Sequence, residues 1–160
     1  MPSPKTIYIV RHGQSEGNAA PVFQSYASPL SEKGLAQAEA IAARVQSLSF
    51  DALIASPQPR AQQTAQAIAK VAGVNIETSD YFVERIKPTA LDGKPWADDE
   101  ANAIWREWEA SIVVPGKKAL DGENFDGIVE RADKALRYLQ DRPENTILVV
   151  SHGHFIRTLI

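Results

Sequence analysis

The sequence predicts a three-layer α/β sandwich with a mainly parallel central sheet, and two observations carry that prediction. Short β-branched, apolar runs alternate with amphipathic helical stretches through residues 5–78, and the pattern returns at 124–150. Two of the runs, IYIV and ILVV, also end in nearly the same punctuation, Arg11-His12-Gly13 and Ser151-His152-Gly153. A parallel sheet delivers such strand ends to one edge, where α/β proteins gather their ligands.

The elements follow in order. Residues 5–10 (KTIYIV) have almost no polar break and read as a strand buried on both faces. The next stretch, to Pro29, carries Gly13, Gly17, Pro21 and Pro29 without a period, and reads as a loop with at most one helical turn. Ser31 suits the cap of a helix on which Leu35, Ala38, Ile41, Ala42, Val45 and Leu48 share a face. DALIA at 51–55 is a second buried strand, and the prolines of Ser56-Pro57-Gln58-Pro59-Arg60 suit the start of an alanine-rich helix that Gly73 ends. Residues 74–78 form a short third strand. The middle segment, 80–121, is punctuated by Pro88, Gly93, Pro95, Pro115 and Gly116 and reads as an insertion over one end of the sheet. It contains a helix at 97–111 with Ala101, Ile104, Trp105 and Trp108 on one face. From Asn124 a long helix places Phe125, Ile128, Val129, Ala132, Leu136 and Leu139 at helical spacing until Pro143 forbids continuation. TILVV at 146–150 is the fourth strand.

At 160 residues, 44% hydrophobic and 23% charged, the chain suits one globular domain over 1–160. The formal charge of -3 argues against a general nucleic-acid surface, since backbone phosphates demand an excess of Lys and Arg, so any anion site must be local. Absence of cysteine excludes disulfides and thiolate metal sites. The first apolar run is too short to span a membrane and lacks a signal-peptide pattern, so a cytoplasmic protein without membrane partners is the expectation.

His12 and His152 should therefore meet at one sheet edge. Arg60, one turn into a helix whose amino end faces the same edge, should join them with Arg11. Such a cluster suits phosphoryl transfer: a neutral imidazole nitrogen attacks phosphorus when its other nitrogen is held as a donor, and guanidinium forks stabilise the equatorial oxygens. A carbonyl in the Gly13 loop can fix the His12 tautomer, and Gly13 lets the backbone approach a ligand. A proton donor for the departing alkoxide is also required.

Arg11-His12-Gly13 with Asn18 downstream, SPLSEKG, ASPQPRAQQTA and SHGHF, in that order over essentially the whole chain, resemble the histidine phosphatase superfamily, the phosphoglycerate mutase-like family. The resemblance implies that His12 forms a phosphohistidine and that Arg11, Arg60 and His152 hold the phosphate, with Asn18 donating a further hydrogen bond. It places the proton donor at Glu84 in Phe82-Val83-Glu84, with Asp80 in reserve. It implies a metal-independent phosphomonoesterase without cofactor, acting on a small phosphorylated substrate. Relatives continue past the second histidine, so the resemblance also leads us to expect more chain after Ile160.

Three other readings compete with this one. A phosphomutase resembles this sequence at RHG, but Glu84-Arg85-Ile86-Lys87 lacks the tyrosine and glycine of the segment that holds a second phosphorylated group. A non-catalytic phosphate-binding protein needs neither nucleophile nor acid. A metal site on His152, His154 and a carboxylate conflicts with the flanking arginines, which repel a dication. His154 reads as structural or rim-lining; Trp105 and Trp108 read as core anchors, with Trp96 freer to serve a substrate. Substrate selection should fall to residues 15–28 and 80–121.

Overall fold

The computed structural model describes residues 4–160. Four parallel strands, β1 (Thr6–Arg11), β2 (Ala52–Ala55), β3 (Ile76–Thr78) and β4 (Thr146–Ser151), form one sheet in the order β1-β4-β2-β3. Helices α2 (Glu32–Val45) and α3 (Pro59–Ala72) cover one face, while α5 (Phe125–Gln140) and α6 (Gly153–Leu159) cover the other. The pleat of β4 shows how one strand serves both layers. Leu148 and Val150 pack with Ala38, Ala61, Ala65 and Ile68, and Ile147 and Val149 pack with Ile128, Ala132, Ala135 and Leu139. No helix among the described residues is long and apolar enough to cross a membrane.

Local chemistry sets the helix ends. Ser31, Asp98 and Asn124 accept the backbone N–H of Gly34, Ala101 and Gly127 at 3.1, 2.9 and 3.0 Å, which starts α2, α4 (Asp99–Ala110) and α5. Pro59 opens α3, and Gly73 closes it in the left-handed region at φ 68°. A one-turn helix α1 (Glu16–Ala19) sits in the first loop.

Three expectations need correction. β1 is not buried on both faces: pairing only with β4, it is the edge strand, and Ile7, Tyr8, Ile9 and Val10 are half-buried. The apolar face of α5 is narrower than expected, because Ile128, Ala132, Ala135 and Leu139 meet the sheet while Phe125, Val129 and Leu136 stay exposed; Leu35 of α2 is exposed likewise. Gly13 and Gly34 have a use that local pattern hides. The two glycines pack backbone against backbone, so a Cβ at Gly34 would fall far inside contact with the Gln14 carbonyl, and one at Gly13 would strike the Gly34 carbonyl. Gly13 thus permits a close approach to α2 as well, and Ser31 N–H bonds to the Gln14 carbonyl at 2.9 Å beside it. Gly34→Ala is expected to cost about 3 kcal/mol by forcing α2 away from the His12 loop. A lower urea midpoint at unchanged slope would register it.

Candidate active site

The β1–β4 pairing places Arg11 opposite Ser151, and it continues one residue further through His12 N–H to the Ser151 carbonyl at 3.1 Å. His12 and His152 therefore leave adjacent strand ends together, with ring centroids 4.8 Å apart and planes tilted by 60°. His12 is 7% exposed and His152 wholly buried. Such packing of two imidazoles is tolerable only if both are neutral.

The tautomers follow from the partners. His12 Nδ1 lies 2.5 Å from the Gly13 carbonyl, an acceptor only, so Nδ1 carries the hydrogen and Nε2 keeps its lone pair. Gly13 is itself fixed by its N–H to Thr64 Oγ1 at 3.2 Å, and Thr64 donates to the Arg60 carbonyl at 2.8 Å. His152 Nε2 lies 2.8 Å from Ser56 Oγ, which also accepts the Gln58 N–H at 3.3 Å. When the Ser56 hydroxyl donates to His152 Nε2, the hydrogen of His152 resides on Nδ1. That Nδ1 has no partner within the protein, and neither has the buried Nε of Arg60. Two orphaned donors at one sheet edge describe a place for an anion, because a buried donor left unmade is costly.

Arg60 is 2% exposed, and its Nη1 donates to the Tyr26 carbonyl at 3.1 Å, tying the first loop to α3. Burial lowers its pKa to about 10, against the opposing pull of Glu84, so it remains charged at neutral pH. The Arg11 guanidinium lies against Gly153, where a Cβ would stand 3.3 Å from its Cζ. Asn18 is exposed on α1; its Oδ1 accepts from Ser15 Oγ at 2.9 Å, which leaves its amide hydrogens for a ligand.

Glu84 reaches the same edge from the segment after β3. Its Oε1 accepts the N–H of Arg85 and of Phe155, each at 2.9 Å, and Oε2 accepts that of His154 at 3.2 Å. The carboxylate thereby caps α6, the helix that follows His152. Arg131 of α5 clamps the backbone around it, donating to the Tyr81 and Val83 carbonyls at 2.9 Å while pairing with Glu123 at 2.7 Å. Asp80 lies in a 3-10 turn, Asp80–Phe82, with its side chain on the cleft wall. His154 is half-buried on that wall, 6.4 Å from the Trp108 ring. Among the described residues no group of three His, Asp or Glu side chains gathers as metal ligands do.

Sequence reasoning named neither Ser56, Gln58, Thr64 nor Arg131 as parts of the site. The first three sit inside the quoted ASPQPRAQQTA stretch, so their segment was visible though their partners were not. Arg131 gave no signal, since nothing in a periodic helix says which cation turns back to a distant loop.

Desolvation is the main force on His12 and lowers its pKa to about 4, with Arg60 and Arg11 adding to the effect and the Gly13 bond opposing it. Burial chiefly, then Arg60, pushes His152 strongly down too. Above about pH 6.5, His12 is neutral in both folded and unfolded chains and contributes no pH dependence. Between about 6.5 and 4 the unfolded chain binds a proton that the folded one refuses, so stability falls as pH falls, by about 1.4 kcal/mol per unit. Below about 4 the folded His12 protonates also, and its share of the loss stops growing. The melting temperature should drop on acidification through this window, and less steeply in His12→Gln.

Fold and site together define an α/β protein with a buried histidine pair, and Arg60 and Arg11 near it, at the carboxyl edge of a parallel sheet. The sequence model of the histidine phosphatase superfamily (branch 1) matches residues 7–160, and the chain belongs to that family. A probable phosphoglycerate mutase of Photorhabdus laumondii is 34% identical over 158 residues, covering 96% of this chain and 72% of its own. A 2,3-bisphosphoglycerate-dependent phosphoglycerate mutase of Brucella ovis is 34% identical, covering 98% of this chain and 80% of its own. Among solved structures, the alpha-ribazole phosphatase of Shigella flexneri superposes with a TM-score of 0.81 at 21% identity, over 94% of this chain and 75% of that one, a likeness of fold.

Proposed function

We propose that the protein is a metal-independent phosphomonoesterase working through a phosphohistidine on His12. The observation that carries this is the His12 tautomer: Nδ1 is spent on the Gly13 carbonyl, and the lone pair of Nε2 lies beside the two orphaned donors of Arg60 and His152. In the first half-reaction Nε2 attacks phosphorus and the ester P–O bond breaks. Arg11, Arg60, His152 Nδ1 and Asn18 hold the phosphoryl oxygens, and Glu84 gives its proton to the departing alkoxide. In the second, Glu84 takes a proton from water, whose oxygen attacks phosphorus, and His12 leaves as a neutral imidazole. The sum is ester plus water to alcohol plus inorganic phosphate.

The names of the two mutase relatives keep a second reading in view. A mutase must hold a second anionic group while the first is exchanged. Beyond Arg60, the cations on the cleft wall are already spent: Arg85 on Glu109, Lys87 on Asp92 and Arg131 on Glu123. That favours release over retention of phosphate. The assay is phosphate release from a monoester in EDTA, with 3-phosphoglycerate and a bisphosphorylated primer run in parallel. Free phosphate independent of metal supports the hydrolase; quantitative isomerisation without release overturns it.

A further inference from the structure

The phosphate pocket opens into a cleft of about 1090 Å³ that shares Asn18, Arg60 and Glu84 with it. The far wall is a chain of rings. His154 stands 6.4 Å from Trp108, Trp108 5.0 Å from Trp105, and Trp105 5.1 Å from Phe23. The ring of Trp108 is backed by the Arg85 guanidinium, 3.8 Å from its centroid, and its Nε1–H donates to the Ile86 carbonyl at 3.0 Å. The cleft is also preformed, since its two sides are joined by backbone bonds: Phe23 N–H to the Lys94 carbonyl at 2.8 Å and Trp96 N–H to the Pro21 carbonyl at 3.0 Å.

The charges along this cleft are balanced locally. Arg85, Lys87 and Arg131 each have a carboxylate partner, and Asp80 faces the same space. A second phosphate or carboxylate on the substrate would find no uncommitted cation there, and it would meet a negative side chain. An aromatic ring would find the half-buried ring of Trp105, held in place by Trp108 and Phe23, which are only 3% and 6% exposed, in a cleft able to reward apolar burial.

We infer that the alcohol half of the substrate is an uncharged group bearing an aromatic ring, seated against Trp105 with Trp108 behind it, and that acidic phosphometabolites are poor ligands. The inference rests on the phosphoryl site described above, and its test is made by binding so that it does not depend on turnover. Calorimetry compares three non-hydrolysable probes: ethylphosphonate, 2-phenylethylphosphonate and 2-carboxyethylphosphonate. The phenyl probe is expected to bind about tenfold to a hundredfold more tightly than the ethyl probe, and the carboxylate probe no more tightly than the ethyl. Trp105→Ala should bring the phenyl-to-ethyl ratio close to one. Ile86→Lys, at a position 48% exposed on the cleft wall, should raise carboxyethyl affinity relative to ethyl severalfold by supplying the missing cation. Equal binding of phenyl and ethyl probes, a preference for the carboxylate, no binding of any probe, or unmoved ratios in both variants would overturn the inference. Tight phenyl binding without hydrolysis of 2-phenylethyl phosphate would instead sink the phosphatase reading and leave the cleft assignment standing.

Discussion

His12→Ala lowers kcat/KM for phosphomonoesters by about four to six orders of magnitude on this account, the scale at which loss of an activated nucleophile is felt. The size of the effect follows from the lack of a substitute. The other imidazole at the sheet edge, His152, is wholly buried and has Nε2 engaged by Ser56 Oγ, so it does not take the place of His12. Water in the vacated space would face two arginines with no group poised to deprotonate it except Glu84. The variant should still fold, since the β1–β4 ladder and the Gly13–Thr64 bond do not involve the imidazole. Circular dichroism beside the rate measurement separates lost chemistry from lost structure. Turnover at the wild-type rate by a folded His12→Ala protein would rule out the nucleophile.

Glu84→Gln is expected to cost about a hundredfold to ten-thousandfold in kcat/KM on alkyl esters, whose alkoxide needs a proton as it leaves. On an aryl ester the loss in kcat/KM should be much smaller, because that parameter ends at P–O cleavage and a phenolate departs unaided. The loss in kcat should persist for both, since hydrolysis of the phosphohistidine still wants a base. An equal fall in kcat/KM for the two ester classes would show that Glu84 acts as a support for α6 and not as an acid. A structural cost is expected alongside. The carboxylate receives three backbone N–H groups through two oxygens, whereas an amide offers one oxygen and would turn its own hydrogens toward the His154 N–H. That is worth about 1 kcal/mol of stability.

Much of this was legible in the chain. Runs such as DALIA and TILVV announce buried parallel strands because residues covered on both faces have no polar alternation to show. The pairing of His12 with His152 follows from two strand ends of like composition in one parallel sheet. Sheet order was not legible: IYIV is as apolar as ILVV, yet one lies at the edge and the other at the centre, and periodicity reports burial without naming neighbours. Contacts between backbones distant in sequence were equally silent. Gly34 reads as a mild flaw in a helix until Gln14 is seen pressed against it. Glu84 is one acid among twenty until its carboxylate is found capping a helix that begins about seventy residues later. The aromatic wall was half visible, since helical spacing joined Trp105 to Trp108 but could not reveal that Trp105 turns to a cleft shared with Phe23 of the first loop.

The central claim is a covalent bond between phosphorus and His12 Nε2, and rapid quenching tests it most directly. Protein mixed with an excess of radiolabelled phosphomonoester and quenched in alkali within one turnover should carry close to one label per chain, stable to base and released by acid, on the peptide that contains His12. The label should be missing from His12→Ala and, with an aryl ester, should accumulate in Glu84→Gln, whose first half-reaction then proceeds while its second is slowed. An enzyme that turns over while carrying no acid-labile label, or that carries it on His152 or His154, would contradict the account.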